Sequence, residues 1–185
     1  GTRMKSKFPK VLHKAAGKAM VHHVAGCALR AGAGKLVTIV GFGADQVEKV
    51  MTELSQIVEQ KEQLGTGHAV QQCIPALAGF AGDVVILSGD TPLLRPETLG
   101  GLIAAHQERN NSATVLTATL SNPSGYGRII RRGGQVVGIV EQKDATDEQK
   151  NLNEINTGIY CFKQDKLIEA LGTLTNDNAQ GEYYL

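Results

Sequence analysis

Val84-Val85-Ile86-Leu87-Ser88-Gly89-Asp90 decides the fold. Its first four residues are all apolar and largely β-branched, as in a central strand of an α/β sheet covered on both faces. The glycine and aspartate that follow fall at the carboxyl edge of such a sheet, where α/β proteins hold their ligands. A carboxylate at that edge suits Mg²⁺, which takes one or two protein carboxylates and completes its shell with substrate phosphate and water. Gly89 would let the backbone approach a ligand closely. Asp90-Thr91-Pro92 also reads as a plain turn, and both readings stand at this point.

Outward from this stretch, helical and strand periods alternate. Residues 19–31 place Val21, Val24, Ala28 and Ala31 on one stripe, with Cys27 beside it and Gly32 as a stop. Lys35–Val40 is a strand run ending at Gly41. Asp45 with Glu48 reads as a capping box, followed by a stripe of Val47, Val50, Met51 and Leu54. After Ile57-Val58 and a glycine turn, one helix is expected to carry Ala69, Val70, Cys73 and Leu77. Pro96 opens a helix with Leu99, Leu102, Ile103 and His106 on its inner face. Beyond it the texture turns to strands: Thr114–Leu120, a hairpin about Gly133-Gly134, and Ile155–Phe162. A last helix contains Leu167, Ile168 and Leu171. Together these predict one three-layer α/β domain with a mostly parallel sheet and an antiparallel section in the second half.

The bulk numbers narrow the function classes. The chain has 185 residues, 42% hydrophobic and 20% charged, which is a globular composition. A net charge of +1 and 4% aromatics give no electrostatic or stacking reason to bind nucleic acid. No apolar run approaches the length of a membrane span, and no secretory segment is visible, although the chain opens at Gly1 without methionine. Cys27, Cys73 and Cys161 have no paired spacing and read as reduced core residues of a cytoplasmic protein.

Charge is uneven locally. Arg3, Lys5, Lys7 and Lys10 precede any acid, and Lys14 and Lys18 extend the run. Arg forks onto phosphate oxygens and Lys supplies a point charge, so the segment suits a polyphosphate; a solvated basic terminus is the plain alternative. Gly65-Thr66-Gly67-His68 lies between strand and helix, where backbone N–H groups can face a base or phosphate, but it lacks the Lys-Ser/Thr of a P-loop. Gly41-Phe42-Gly43 lacks the third glycine of a dinucleotide fingerprint. The histidines show no metal spacing, and no serine or cysteine has a nucleophile context.

These segments resemble the sugar-1-phosphate nucleotidyltransferases, and in detail the uridylyltransferase half of the bacterial bifunctional UDP-N-acetylglucosamine pyrophosphorylases. The resemblance rests on Gly1-Thr2-Arg3-Met4 with Pro9–His13, Glu62–Ala69, Gly89–Leu93, Gly125–Ile129, Gly138–Glu141, Lys143–Thr146, Glu154–Gly158 and Asn178–Tyr184, in order and nearly end to end. It implies a Rossmann-like nucleotidyltransferase fold whose antiparallel section binds the sugar. It implies that Arg3 and Lys10 meet the triphosphate and that Asp90 binds Mg²⁺, with Ser88 and Gly89 along the nucleotide. Gln60, Gly65 and Thr66 would hold the uracil; Gly127, Glu141 and Asn156 would hold the sugar. The implied reaction joins UTP to N-acetylglucosamine 1-phosphate, giving UDP-N-acetylglucosamine and pyrophosphate for cell-wall precursor synthesis.

Against that family, residues 1–185 are expected to be a nucleotidyltransferase domain cut at both ends. Only the last glycine of the family's Leu-x-x-Gly-x-Gly turn is present, and a second Mg²⁺ ligand, an asparagine, is expected beyond Leu185. Ser88 stands where the family often has a larger residue. The left-handed β-helix acetyltransferase half, on which a homotrimeric parent would be built, is not part of the sequence. This implies weak or no turnover by the chain alone. Two other readings remain: a non-catalytic nucleotide-sugar-binding module, and a relative using another sugar phosphate or nucleoside triphosphate.

Overall fold

A computed structural model describes Ser6 and residues 8–185. Arg3, first in the expected phosphate site, lies outside the described residues. A small antiparallel hairpin, β1 (Lys14–Ala15) and β2 (Lys18–Ala19), leads into α1 (Met20–Arg30). The expected stripe is the buried one: Val21, Val24, Cys27 and Ala28 all face inward. Strand β3 (Val37–Val40), α2 (Ala44–Met51) and β4 (Gln56–Glu59) form a βαβ unit in which β3 and β4 pair in parallel.

Then come α3 (Thr66–Gln71), β5 (Asp83–Ile86), α4 (Pro96–Glu108) and β6 (Ala113–Thr119). The second half supplies β7 (Arg128–Arg132), β8 (Gln135–Val140), α5 (Asp147–Lys150), β9 (Glu154–Lys163) and α6 (Gln164–Leu171). Strand β9 is the organiser: β5, β6 and β7 all pair with it, each antiparallel, and β8 pairs with β7. Parallel and antiparallel pairing both occur, as expected, but in separate sheets: among the described residues parallel pairing is confined to the two-stranded β3–β4 sheet, and the five-stranded sheet of β5 to β9 is antiparallel throughout. Ten residues of β-rich sequence in β9 are long enough to serve several partners along their length.

Three apolar clusters hold the layers together. Val47 and Met51 of α2 join Leu12, Val21 and Val40; Leu99 and Leu102 of α4 join Cys27, Ile159 and Cys161. Leu167 and Leu171 of α6 join Val70 and Leu77. Each fully buried Leu contributes about 1.5–3 kcal/mol of transfer free energy. Burial also pushes the Cys73 and Cys161 thiols up to about 11, so they stay protonated and act as packing groups.

Some local expectations change. The capping box at Asp45 does not form: α2 begins one residue earlier, capped by Gly43 in a left-handed conformation at φ +68° with no side-chain cap. Pro9 packs so close to Gly43 that a Cβ there would lie 2.5 Å from its ring. Among the described residues a capping box forms instead at Thr146 with Gln149, at the start of α5. Helix α2 stops at Met51; Val50 within it and Leu54 beyond it are exposed rather than on a buried stripe. The single helix expected from Ala69 to Leu77 breaks into α3 and a short 3₁₀ turn, because Pro75 cannot continue the α-helical hydrogen bonds.

Among the described residues, β3 and β5 each pair along one edge only. A cavity of about 900 Å³ lies between them, lined by Val24, Ala28, Thr38, Val84, Ile86 and Leu99 among others. Its wall is mostly apolar and includes Val11 and Gly89, the chain neighbours of Lys10 and Asp90, but neither charged residue. It is space between layers rather than the candidate site.

Candidate active site at the strand ends

The candidate residues collect in three groups, two beyond the carboxyl ends of β4 and β5 and one on the antiparallel section. The first is ionic. Lys10 Nζ donates to Asp90 Oδ2 at 2.5 Å, with the two side chains 45% and 31% exposed. The exposure decides what the pair is for: in water so accessible, an ion pair adds little to stability. It remains free to exchange partners with an incoming phosphate. Asp90 is held by a turn in which the Thr91 hydroxyl and N–H both donate to the Ser88 carbonyl. The turn reading and the ligand reading of this segment are thus compatible. Gly89 faces Val11, whose side chain would lie 3.1 Å from an added Cβ. Its role here is close packing of the amino-terminal segment on the strand end.

Among the described residues, no three His, Cys, Asp or Glu side chains group as a metal cage. A lone, accessible carboxylate suits a cation that arrives with phosphate and keeps several waters, as Mg²⁺ does. Lys14 and Lys18 lie in the exposed β1–β2 hairpin.

The second group surrounds Gln60, 8% exposed at the end of β4. Its Nε2 donates to the Gly65 carbonyl at 3.1 Å and meets His68 Nδ1 at 3.0 Å. With that amide nitrogen engaged, Oε1 is the face left to accept. Gly65, at φ +114°, starts the loop into α3. The carboxyl-terminal segment lies against this loop: Tyr183 N–H donates to the Leu64 carbonyl, and Gly67 N–H donates to the Tyr183 carbonyl. A Cβ on Gly65 would fall 2.5 Å from the Tyr183 carbonyl oxygen, so glycine is required for that contact. Thr66 Oγ1 accepts from the Leu185 N–H at 3.2 Å. Sequence reasoning had given Asn178–Tyr184 no position; nothing local in a motif tells which loop it will cover.

The third group sits on the antiparallel section. Gly127, Glu141 and Asn156 come from three segments, yet a Cβ on Gly127 would be 2.6 Å from Glu141 Oε1 and 3.4 Å from Asn156 Cβ. The Asn156 N–H donates to the Gly127 carbonyl. Burial, reinforced by the neighbouring Asp144 charge and opposed by Arg128, raises the Glu141 carboxyl above its ordinary value. Ser88 Oγ lies 3.6 Å from the Cβ position of Gly158, two residues along from Asn156. Ser88 therefore joins the third group to the first.

Arg128 was missed by sequence reasoning. It is buried, with Nη1 donating to the Tyr126 carbonyl and Nη2 to Gln142 Oε1 and the Lys150 carbonyl. It ties together the loop, strand and short helix that frame Gly127 and Glu141. The Ala179 N–H donates to Asp144 Oδ1, which fastens the carboxyl-terminal segment to this same region.

Residues 1–179 match the family described as the MobA-like NTP transferase domain. The chain belongs to that family. Similar curated proteins include the bifunctional protein GlmU of Levilactobacillus brevis, 53% identical over all of this chain and 40% of that protein. The bifunctional protein GlmU of Desulfitobacterium hafniense (strain DSM 10664 / DCB-2) is 49% identical over all of this chain and 41% of its own length. The likeness read from short motifs thus extends along the whole sequence, while the chain spans about two fifths of these relatives. Among solved structures, UDP-glucose pyrophosphorylase complexed with UDP-glucose matches with a TM-score of 0.76 at 19% identity, over 99% of this chain and 79% of that one. An apo UDP-glucose pyrophosphorylase matches with a TM-score of 0.72 at 18% identity, over 95% and 76%. These two establish the nucleotidyltransferase fold. No helix among the described residues is long and apolar enough to cross a membrane.

Proposed function

We propose that this chain is the uridylyltransferase domain of a bacterial bifunctional enzyme, joining UTP to N-acetylglucosamine 1-phosphate with release of pyrophosphate. The observation that carries the reading is the junction at Ser88. There a water-accessible Lys10–Asp90 pair, suited to phosphate, adjoins a half-buried carboxylate and carboxamide, suited to a sugar. Whole-chain identity near one half to proteins named GlmU supports it from sequence.

In this reading a sugar 1-phosphate oxygen attacks the α-phosphorus of UTP in line, a new P–O bond forms, and the α–β bridge oxygen leaves with pyrophosphate. The nucleophile is already anionic, so no general base is called for; positioning and charge neutralisation carry the catalysis. Lys10 and Arg3 meet the phosphate oxygens. Asp90 holds Mg²⁺, which would neutralise triphosphate charge. The amide of Gln60, oriented by Gly65 and His68, presents Oε1 to the uracil N3–H; cytosine, with an acceptor at that position, would be refused. The backbone of Gly65 and Thr66 braces the base, and Ser88 and Gly89 line the path of the nucleotide. Gly127 leaves room for Glu141 and Asn156 to pair with sugar hydroxyls and the N-acetyl group. A cytoplasmic place and a homotrimeric parent belong to the same proposal.

The test is pyrophosphate release from UTP, N-acetylglucosamine 1-phosphate and Mg²⁺, with calorimetric titration of UDP and UDP-N-acetylglucosamine beside it. Binding of both, with the sugar nucleotide tighter, is the expected result. Absence of both turnover and binding would remove this reading.

A further inference from the structure

Strand β9 carries Asn156 and Tyr160 four residues apart. In a regular strand that spacing is about 13 Å, beyond the reach of an asparagine. The β6–β9 register breaks here: Val115 faces Tyr160 and Thr117 faces Asn156, so Thr157, Gly158 and Ile159 stand opposite Leu116 alone. Gly158 takes φ +74°, and the Thr157 hydroxyl donates to the Leu116 carbonyl, which the ladder leaves without its regular partner. The bulge draws the flanking residues together, and Asn156 Nδ2 donates to the Tyr160 phenol oxygen at 2.6 Å.

The amide is fixed from both sides. The Gly158 N–H donates to Asn156 Oδ1 at 3.0 Å, which identifies the oxygen, and the phenol receives the nitrogen. One Nδ2 hydrogen and one Oδ1 lone pair then remain to address a ligand. The phenol itself is held by its surroundings: Tyr160 is 7% exposed, with its ring centroid 5.7 Å from that of Phe162. Burial raises its pKa, so the hydroxyl remains protonated and acts as a neutral dipole beside Glu141.

We propose that Tyr160 is a positioning residue for sugar recognition, holding the Asn156 carboxamide in the orientation that pairs with an N-acetyl or hydroxyl group. The inference rests on the functional reading above. It adds to that reading a residue that never touches the sugar and acts through another side chain.

The experiment compares calorimetric affinities for UDP and UDP-N-acetylglucosamine in the wild type, Tyr160→Phe, Asn156→Ala and the double variant. Melting curves confirm that each is folded at the titration temperature. Tyr160→Phe removes one oxygen and keeps the ring. It should weaken UDP-N-acetylglucosamine binding by about three- to tenfold, the scale of one net hydrogen bond. UDP binding should be unchanged. Because Tyr160 acts through Asn156, the double variant should bind no more weakly than Asn156→Ala alone. Equal weakening of both ligands, no weakening, or full additivity in the double variant would each overturn the proposal. A Tyr160→Phe chain that does not fold would assign the hydroxyl to stability and overturn it as well. If the wild type binds UDP and UDP-N-acetylglucosamine equally, the sugar reading itself fails and this inference goes with it.

Discussion

The two ends of the candidate site handle polar groups in opposite ways. At the Lys10–Asp90 end, charges are paired across water-accessible space and can be redistributed at small cost. At the Glu141–Asn156 end, polar groups are half-buried, the Asn156 amide has fixed partners, and the carboxyl is pushed toward its neutral form. A polyphosphate brings several charges and its own counter-ion, so mobile, exposed partners suit it. A sugar brings hydroxyls that water also binds well. Selecting it takes preoriented groups whose alternative is to remain unsatisfied. The contrast follows the backbone: the ionic group hangs on turns after β5 and before α1, whereas the Glu141–Asn156 group hangs on an antiparallel ladder.

Substitutions can break this contrast. The largest effect is expected for Asp90→Ala, with turnover falling about 10²–10³-fold, the cost of one preorganised electrostatic contact. Its melting temperature should hardly move, because the Lys10 pair is exposed. A comparable loss of stability would show that Asp90 is structural. Next comes Gly127→Ala, whose new Cβ would fall 2.6 Å from Glu141 Oε1 and must displace it. UDP-N-acetylglucosamine should bind about 10- to 100-fold more weakly, as for a misplaced contact, with UDP unaffected.

Glu141→Gln sharpens the comparison through pH. The folded-state pKa of Glu141 is raised above the ordinary carboxylate value, chiefly by burial. Between the ordinary and the raised value, the native form holds a proton that the unfolded chain has lost. Its contribution to stability is complete below the ordinary carboxylate range and is lost as pH rises through the raised value. Thermal melts should show Glu141→Gln gaining on the wild type over that window and then running parallel; a constant gap would remove the burial argument. Smallest of all is Arg131→Ala. Arg131 pairs with Glu154 through two hydrogen bonds of 2.7 Å, but it lies in water at the hairpin surface. Melting temperature and both affinities should match the wild type within error.

Much of the fold was legible in the sequence because local signals and packing agree there. The α1 stripe, Pro96 at the start of α4, and the Gly133-Gly134 hairpin with φ of +56° and +81° all form where periodicity puts them. What was not legible depends on partners distant in sequence. No pattern within Glu154–Lys163 says that three strands will pair with it, and so the antiparallel share of the sheet was underestimated. Asp45 with Glu48 satisfies the capping pattern, but contact with Pro9 favours a glycine cap one residue ahead of α2. For the site, the charged and glycine-rich motifs could be found by residue type. Arg128 and Tyr160 could not, since a buried arginine and a buried tyrosine look like ordinary strand residues until their partners are known.

The carboxyl-terminal segment fastens at Asp144 through Ala179 and at Leu64 and Gly67 through Tyr183. Backbone amides at both anchor points are thereby hydrogen-bonded through the same eight-residue clasp, 178–185. Deuterium uptake at the Gly67 and Tyr183 amides would accordingly rise together whenever the clasp lifts.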